Sequence, residues 1–305
     1  MYKPKRPWQK FYKHIIYGVP TYANPSSKTM TLQRRQELVR LAREFDALII
    51  TDDVYDQLQW PATPPPDSAP NTSATRPLKH ASMPRIVDID RTLDGGPPTP
   101  FGNALSNGTF SKILGPGMRT GWVEAAPALA HGVSQTGTSR SGGAPSHIAA
   151  TFVAALLAGE TLQDYVFGDL QPALARRYYA LRAAVQSALG PLGAVLEEQS
   201  GSAVAGGYFL WLRVPIDAVR LARRAKDEQN LVVAEGCIFE VPGDREVAHF
   251  PNHVRLCFAW EEEDKLVEGV ERLAVVLKRM LDEGDTASAE FAADEKREAE
   301  LESSY

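Results

Sequence analysis

Apolar positions fall into short continuous runs in the first half of the chain and into helical three-and-four spacing over much of the second. KHIIYGVP, from Lys13 to Pro20, predicts a short strand, followed by a loop that holds Asn24-Pro25. Thr31 is placed to cap a helix running to about Phe45, with Leu38, Leu41, Ala42 and Phe45 as its apolar stripe. ALIIT, Ala47 to Thr51, reads as a buried strand, and DDVYD follows it. Strand, helix, strand with short links is a βαβ unit, so a parallel sheet is expected. Ligands of such sheets sit beyond the carboxyl ends of the strands, and Asn24 and Asp52 both fall there.

Trp60 to about Met83 is rich in Pro, Ser and Thr and reads as a surface loop. PRIVDID, Pro84 to Asp90, resumes strand character, NALSNGTF leads toward Lys112, and GWVEAA after Arg119 reads as another strand. QTGTSRSGGAP, Gln135 to Pro145, is a connector before a helix beginning near Ser146; it has neither a GK[ST] ending nor GxGxxG spacing. Beyond Gly159 helices take over. A long one from about Gln171 to Leu189 carries Ala173, Tyr178, Leu181, Val185 and Leu189 on its apolar face. Strand-like AVLEEQ and GGYFLWLRV follow, then a helix near Asp217 to Gln229, two strands in NLVVAEGCIFEV and HVRLCFAW, and a last amphipathic helix from about Glu262 to Leu281. The change of pattern places a boundary near residue 160, giving a mostly parallel α/β domain at 1–159 and an α+β domain at 160–281. From Asp282 to 305, acidic and small residues without apolar periodicity predict a disordered tail.

Composition narrows the function classes. A net charge of −5 and the lack of a basic stripe with interleaved aromatics argue against nucleic acid. No apolar run approaches membrane-spanning length, and MYKPKRPWQK lacks the apolar stretch of a secretory signal, so a cytoplasmic protein is expected. Cys237 and Cys257 fit neither a disulfide framework nor a zinc cluster, and their apolar contexts predict buried thiols. The six histidines show no metal-ligand spacing.

Candidate chemistry concentrates in Asn107 to Trp122, NGTFSKILGPGMRTGW. Two hydroxyls, on Thr109 and Ser111, precede one lysine, Lys112, and one arginine, Arg119, follows a Gly-Pro-Gly break. A lysine amine in a desolvated or cationic setting forms imines with aldehydes. Hydroxyls and a planar guanidinium suit a phosphate. On this stretch alone, a solvated lysine in a glycine loop is the competing reading. Elsewhere, ITDDVYDQL offers Asp52, Asp53 and Tyr55, which by themselves also read as an acidic turn capping a strand. Arg255, inside apolar HVRLCFAW, is expensive to bury unless it meets a carboxylate, either a ligand's or one of Glu261 to Glu263.

Taken together these stretches resemble the S-x-S-K-x-x-x-P-G-x-R-x-G-W signature and its companions in the class I/II aminotransferases of fold type I. These enzymes use pyridoxal 5'-phosphate (PLP), and the likeness is to the 2-aminoadipate, aromatic and kynurenine transaminase group. It runs from about Ile15 to Leu281. It implies the PLP-dependent transferase fold, with an incomplete large domain and a C-terminal small domain. It also implies transamination between an amino acid and a 2-oxo acid through a Schiff base on Lys112. Thr109, Ser111 and Arg119 would hold the cofactor phosphate, and Asp52, three residues before Tyr55, would meet the pyridine nitrogen. Tyr55 and Asn24 would bond the cofactor's phenolic oxygen, and Asn24 and Arg255 the substrate carboxylate. GGYFLWL resembles a small-domain strand whose aromatics are expected to pack the interior.

Three departures from the pattern stand out. Threonine occupies position 109 in place of serine, Ser27 stands where N-P-T/S-G has glycine, and Glu235 stands where proline precedes Gly236 and Phe239. The relatives' pattern also carries an N-terminal portion with a glycine-containing phosphate loop, an aromatic stacked on the cofactor ring and a dimer-forming arm. Met1 to Tyr12 do not supply these, and a homodimer is implied only where that portion is present. Lyase chemistry on the same cofactor and a truncated, non-catalytic binding remnant are the alternative readings.

Overall fold

Two parallel strands and the helix between them begin the architecture, as the apolar pattern predicts. β1 (His14–Gly18) pairs in parallel with β2 (Ala47–Asp52), Ile16 opposite Ile49, and α1 (Leu32–Glu44) makes the crossover. The computed structural model describes residues 6, 9–64, 78–140, 146–199, 201–243 and 248–285. The chain divides into two compact units. Unit 1 comprises 1–23, 28–172 and 203–207, and unit 2 comprises 24–27, 173–202 and 208–305.

In unit 1, β3 (Gln59–Pro61) lies outside the main sheet, while β4 (Ala104–Thr109) pairs in parallel with β2 and β5 (Gly121–Ala125) antiparallel with β4. The order is β1-β2-β4-β5. One face is covered by α1 and α2 (Ile86–Thr92), where Val39, Ala42, Ile49, Ile86, Val87, Ile89 and Ala104 form the core. On the other, α3 (Pro127–Ser134) brings Leu129, Ala130 and Val133 against Leu48, Leu105 and Ala125. A short α4 (Gly137–Arg140) precedes α5 (His147–Ala158) and α6 (Thr161–Tyr165), which pack Val153 and Leu162 against Phe110 and Ile113.

Unit 2 contains most of α7 (Gln171–Ala184), which continues as a π-helical turn to Leu189. β6 (Val195–Leu196) is followed by β7 (Val204–Gly206), which belongs to unit 1 and pairs with β3. Next come β8 (Phe209–Arg213), α8 (Ala218–Gln229), β9 (Ala234–Glu235), β10 (His253–Cys257) and α9 (Glu263–Asp282). The unit's sheet has the order β6-β8-β10-β9 and is antiparallel throughout. On α9, Leu266, Val270, Leu273, Val276, Leu277 and Met280 form the buried stripe. Spacings of three and four residues put all six on one face.

Several expectations are corrected. PRIVDID is not a strand: Asp88 accepts a hydrogen bond from the Arg85 backbone N–H at 3.2 Å and starts α2. Ile86, Val87, Ile89 and Asp90 are buried as helical neighbours, a spacing that a short apolar run does not distinguish from strand alternation. Thr31 caps α1 as predicted, accepting from Arg34 N at 3.3 Å. The buried face is Arg35, Val39 and Ala42, however, and Leu41 and Phe45 are exposed. Trp60, assigned to a loop, is buried in β3, and 65–77 of that loop lie outside the described residues. NLVVAEGCIFEV holds only the two-residue β9 before a 3₁₀ turn at Gly236–Phe239. There a Cβ on Gly236 would stand 2.3 Å from the Phe250 carbonyl oxygen. Cys237 is half-buried and Cys257 exposed, because the alternation on β10 turns Val254 and Leu256 inward. The chain passes from unit 1 to unit 2 after Pro172, beyond the boundary expected near residue 160. Helix α9 ends at Asp282, and the tail from 286 lies outside the described residues.

Arg35 and Asp56 are the unexpected polar elements of unit 1. Arg35 is fully buried; its guanidinium donates to the carbonyls of Met30, Pro84 and Pro20 at 2.9, 3.0 and 2.9 Å and to Thr21 Oγ1 at 2.9 Å. It thereby clasps the two ends of the loop after β1 to the start of α2. Burial, and then the neighbouring Asp53 charge, raise the Asp56 carboxyl to about 7, against the opposing pull of Thr21, Arg35 and Arg85. A carboxyl that binds its proton more tightly folded than unfolded favours folding most at low pH. That contribution is lost as pH rises from about 4 through about 7. Asp56→Asn should therefore leave stability nearly unchanged at pH 3 and increase it above pH 8, by at most about 4 kcal/mol. Urea unfolding of both proteins across this range checks the sign.

Candidate active site

The carboxyl ends of β2 and β4 lie side by side, and the register pairs Asp52 with Asn107. Asp52 Oδ1 accepts from Asn107 Nδ2 at 2.8 Å, and Oδ2 accepts from the Tyr17 hydroxyl at 3.0 Å. Burial, the Asp52 charge and the bond to it push the Tyr17 phenol above its ordinary value, keeping it a donor. Asp53, next along the strand, points the other way and is buried, with Oδ2 accepting from Thr51 at 2.6 Å and Ser106 at 2.5 Å. The two adjacent acids thus differ in kind: Asp53 ties β2 to β4 inside the unit, while half-buried Asp52 stands at the strand ends.

Beyond Thr109 the chain closes a tight turn. Leu114 N donates to the Phe110 carbonyl at 2.8 Å, with Phe110 and Ile113 anchored in the cluster of α5 and α6. Lys112, held between these anchors, places Nζ 5.9 Å from the ring centroid of buried Tyr55. Thr109 Oγ1 accepts from the Ser111 backbone N–H at 3.1 Å and lies 3.0 Å from Ser111 Oγ. The two hydroxyls thus form one cluster immediately before Lys112. Arg119 follows in the same β4–β5 connection in a left-handed backbone conformation (φ 48°), exposed, with Nη1 donating to the Pro116 carbonyl at 3.3 Å.

The other two candidates meet in unit 2. Arg255 Nη1, on β10, donates to Asn24 Oδ1 at 2.7 Å. The guanidinium carbon lies 4.1 Å from the centroid of Phe209 and 4.7 Å from that of Phe239, an aromatic clamp that favours a cation. Of the acids weighed as partners for Arg255, Glu262 pairs with Arg177 and Glu263 with Arg176. Trp211 packs edge-on against Phe239 and stacks on His253, the interior role expected for this strand's aromatics.

The structure therefore gathers Asp52, Tyr55, Thr109, Ser111, Lys112 and Arg119 in unit 1 and Asn24 and Arg255 in unit 2. Tyr17, Asn107, Phe209 and Phe239 escaped sequence reasoning. Only register and tertiary packing bring them to the site, although Tyr17 stood on a strand already placed. Among the described residues, no group of three or more His, Cys, Asp or Glu side chains could hold a metal ion, and no helix is long and apolar enough to cross a membrane.

Comparison with known proteins adds independent findings. The family described as aminotransferase class I and II matches residues 13–273. The chain is 35% identical over 273 residues to the uncharacterized protein YER152C of Saccharomyces cerevisiae, covering 88% of this chain and 57% of that protein. It is 27% identical to aromatic-amino-acid aminotransferase 1 of Thermococcus litoralis, covering 87% and 54%. The crystal structure of Pyrococcus horikoshii kynurenine aminotransferase, in complex with PMP, superimposes with a TM-score of 0.66 at 27% identity, covering 88% of this chain and 57% of that one. The chain thus spans little more than half the length of the relatives it matches. Its α/β fold is that of the fold type I aminotransferases, as the sequence resemblance implied.

Gly108, opposite Trp122 in the β4–β5 ladder, lets the indole lie across the strand that delivers Thr109; a Cβ there would stand 2.1 Å from the indole ring. Gly108→Ala should displace Trp122 and cost about 1–3 kcal/mol, the usual penalty of overpacking. The cost should shrink in a Trp122→Leu background, which denaturant unfolding of the four proteins of the cycle measures.

Proposed function

Because this chain belongs to the aminotransferase class I and II family, we propose that it serves PLP-dependent transamination between an amino acid and a 2-oxo acid. One observation carries the reading. A single turn after β4 carries Lys112 next in sequence to the Thr109–Ser111 hydroxyl pair, with its amine 5.9 Å from the Tyr55 ring centroid, while Asp52 stands at the end of the adjacent strand.

The donor set fits the cofactor group by group. Lys112 offers a primary amine for its aldehyde carbon. Thr109, Ser111 and Arg119 offer two hydroxyls and a guanidinium for its phosphate, and Asp52 a carboxylate for its pyridine nitrogen. Tyr55 offers a phenol for its ring oxygen. When bound, PLP supplies an electron sink for the pair released as a substrate Cα–H bond breaks.

The protein's own part is positioning and proton transfer. With PLP bound, Lys112 Nζ would act as the proton carrier, taking the proton from the substrate Cα and delivering it to the neighbouring carbon of the cofactor within the same half-reaction. Tyr17 and Asn107 orient the Asp52 carboxylate by donating to its two oxygens, and with PLP bound that carboxylate would keep the ring nitrogen protonated. Arg255, with the Phe209 and Phe239 rings against its guanidinium, would bind the substrate carboxylate together with Asn24.

Two experiments test this reading. Incubation with PLP, borohydride reduction and peptide mapping should place the pyridoxyl group on Lys112, and Lys112→Ala should abolish it. Labelling mainly at another lysine would overturn the assignment. Arg255→Lys should leave cofactor uptake nearly unchanged but weaken amino-acid binding by about 1–3 kcal/mol, since lysine keeps the charge and loses the fork. Equal loss of both affinities, measured by titration, would make Arg255 a structural residue instead.

A further inference from the structure

Ser27 stands where the resembling motif has glycine, and it occupies the left-handed region with φ 54°, a conformation glycine adopts freely and serine rarely. Its side chain shows what is gained in exchange. Ser27 Oγ donates to the carbonyl oxygen of Phe209 at 2.5 Å, a short bond for a hydroxyl donor. Phe209 opens β8, pairs with Cys257 on β10, and lays its ring 4.1 Å from the Arg255 guanidinium. Three residues before Ser27, Asn24 accepts from that same guanidinium at 2.7 Å.

Asn24, Ser27, Phe209 and Arg255 therefore close a ring, with one side-chain bond at each end of the turn. We propose that Ser27 is a positioning residue: its hydroxyl latches the Asn24 turn onto β8, so that the Asn24 amide and the Arg255 guanidinium form one preset carboxylate-binding pair. The inference rests on the carboxylate role given to Arg255 above. With its oxygen committed to Arg255, the Asn24 amide is left with its N–H groups as donors for an anion. Arg255 has the Phe209 and Phe239 rings packed against its guanidinium, which limits where it can move. A pin from the turn to the strand backbone fixes the remaining freedom, that of the loop itself. A carboxylate then meets donors already oriented, with little ordering left to do on binding.

Glycine and alanine separate the latch from ordinary structural support. Ser27→Gly loses the hydroxyl but relieves the left-handed serine; Ser27→Ala loses the hydroxyl and keeps a side chain in that conformation. The full chain, each variant and Arg255→Lys are titrated calorimetrically with phenylpyruvate as the 2-oxo acid probe, and unfolding midpoints are recorded in parallel. Ser27→Gly should bind phenylpyruvate about five-fold more weakly, the scale of one hydrogen bond, while unfolding no earlier than the wild type. Ser27→Ala should show the same weakening with a lower midpoint. Wild-type affinity in Ser27→Gly, alongside weakened binding by Arg255→Lys, overturns the latch and leaves the carboxylate role standing. Unchanged binding by Arg255→Lys, or no binding by the wild type, overturns the carboxylate role and the latch with it.

Discussion

The parallel pairing of β2 with β4 is the constraint from which the rest of unit 1 follows. It sets Thr51 opposite Ser106 and Asp52 opposite Asn107, so the chain can reverse after Thr109 only beside the carboxyl end of β2. Asp53 reinforces this pairing from within, since its buried carboxylate joins Thr51 on its own strand to Ser106 on the next. A one-residue slip would turn Asp53 outward and Asp52 inward, leaving a carboxylate buried without those hydroxyls. Register is therefore held by polar chemistry as well as by apolar burial, and the lysine turn inherits its position from that register.

What the sequence made legible was periodic or capped. The βαβ opening, the Thr31 cap, α8 behind Asp217 and the long stripe of α9 all follow from spacing and capping alone. Pro84 to Asp90 defeated the same logic because its apolar residues satisfy strand and helix periods at once; the Arg85–Asp88 cap decided between them. α1 was found but turned: a stripe of Leu41 and Phe45 looked natural, yet the buried position belongs to Arg35. No hydropathy pattern places an arginine inside. It is there because the loop after β1 leaves backbone carbonyls that need donors.

The candidate site divides along the same line. Lys112, Thr109, Ser111 and Asp52 were readable because they are close in sequence or sit at strand ends, where spacing carries the information. Tyr17 reaches Asp52 only through the neighbouring strand, and Phe209 and Phe239 reach Arg255 only through the fold of unit 2. Such supporting residues act through geometry rather than through a local motif.

Arg255 shows how aromatic faces and an amide can help hold a charge on an apolar strand. A buried ion pair would satisfy the guanidinium but also neutralise it, leaving less attraction for an incoming carboxylate. Two ring faces and an amide oxygen do something different: they orient the cation and meet part of its desolvation cost without cancelling its charge. The same logic accounts for an amide rather than an acid at position 24. Aspartate there would bind Arg255 more tightly and repel a substrate carboxylate, whereas asparagine accepts from the arginine through its oxygen and still carries N–H donors for the anion. The Asn24–Arg255 pair by itself carries one net positive charge, which is the sign a carboxylate ligand requires.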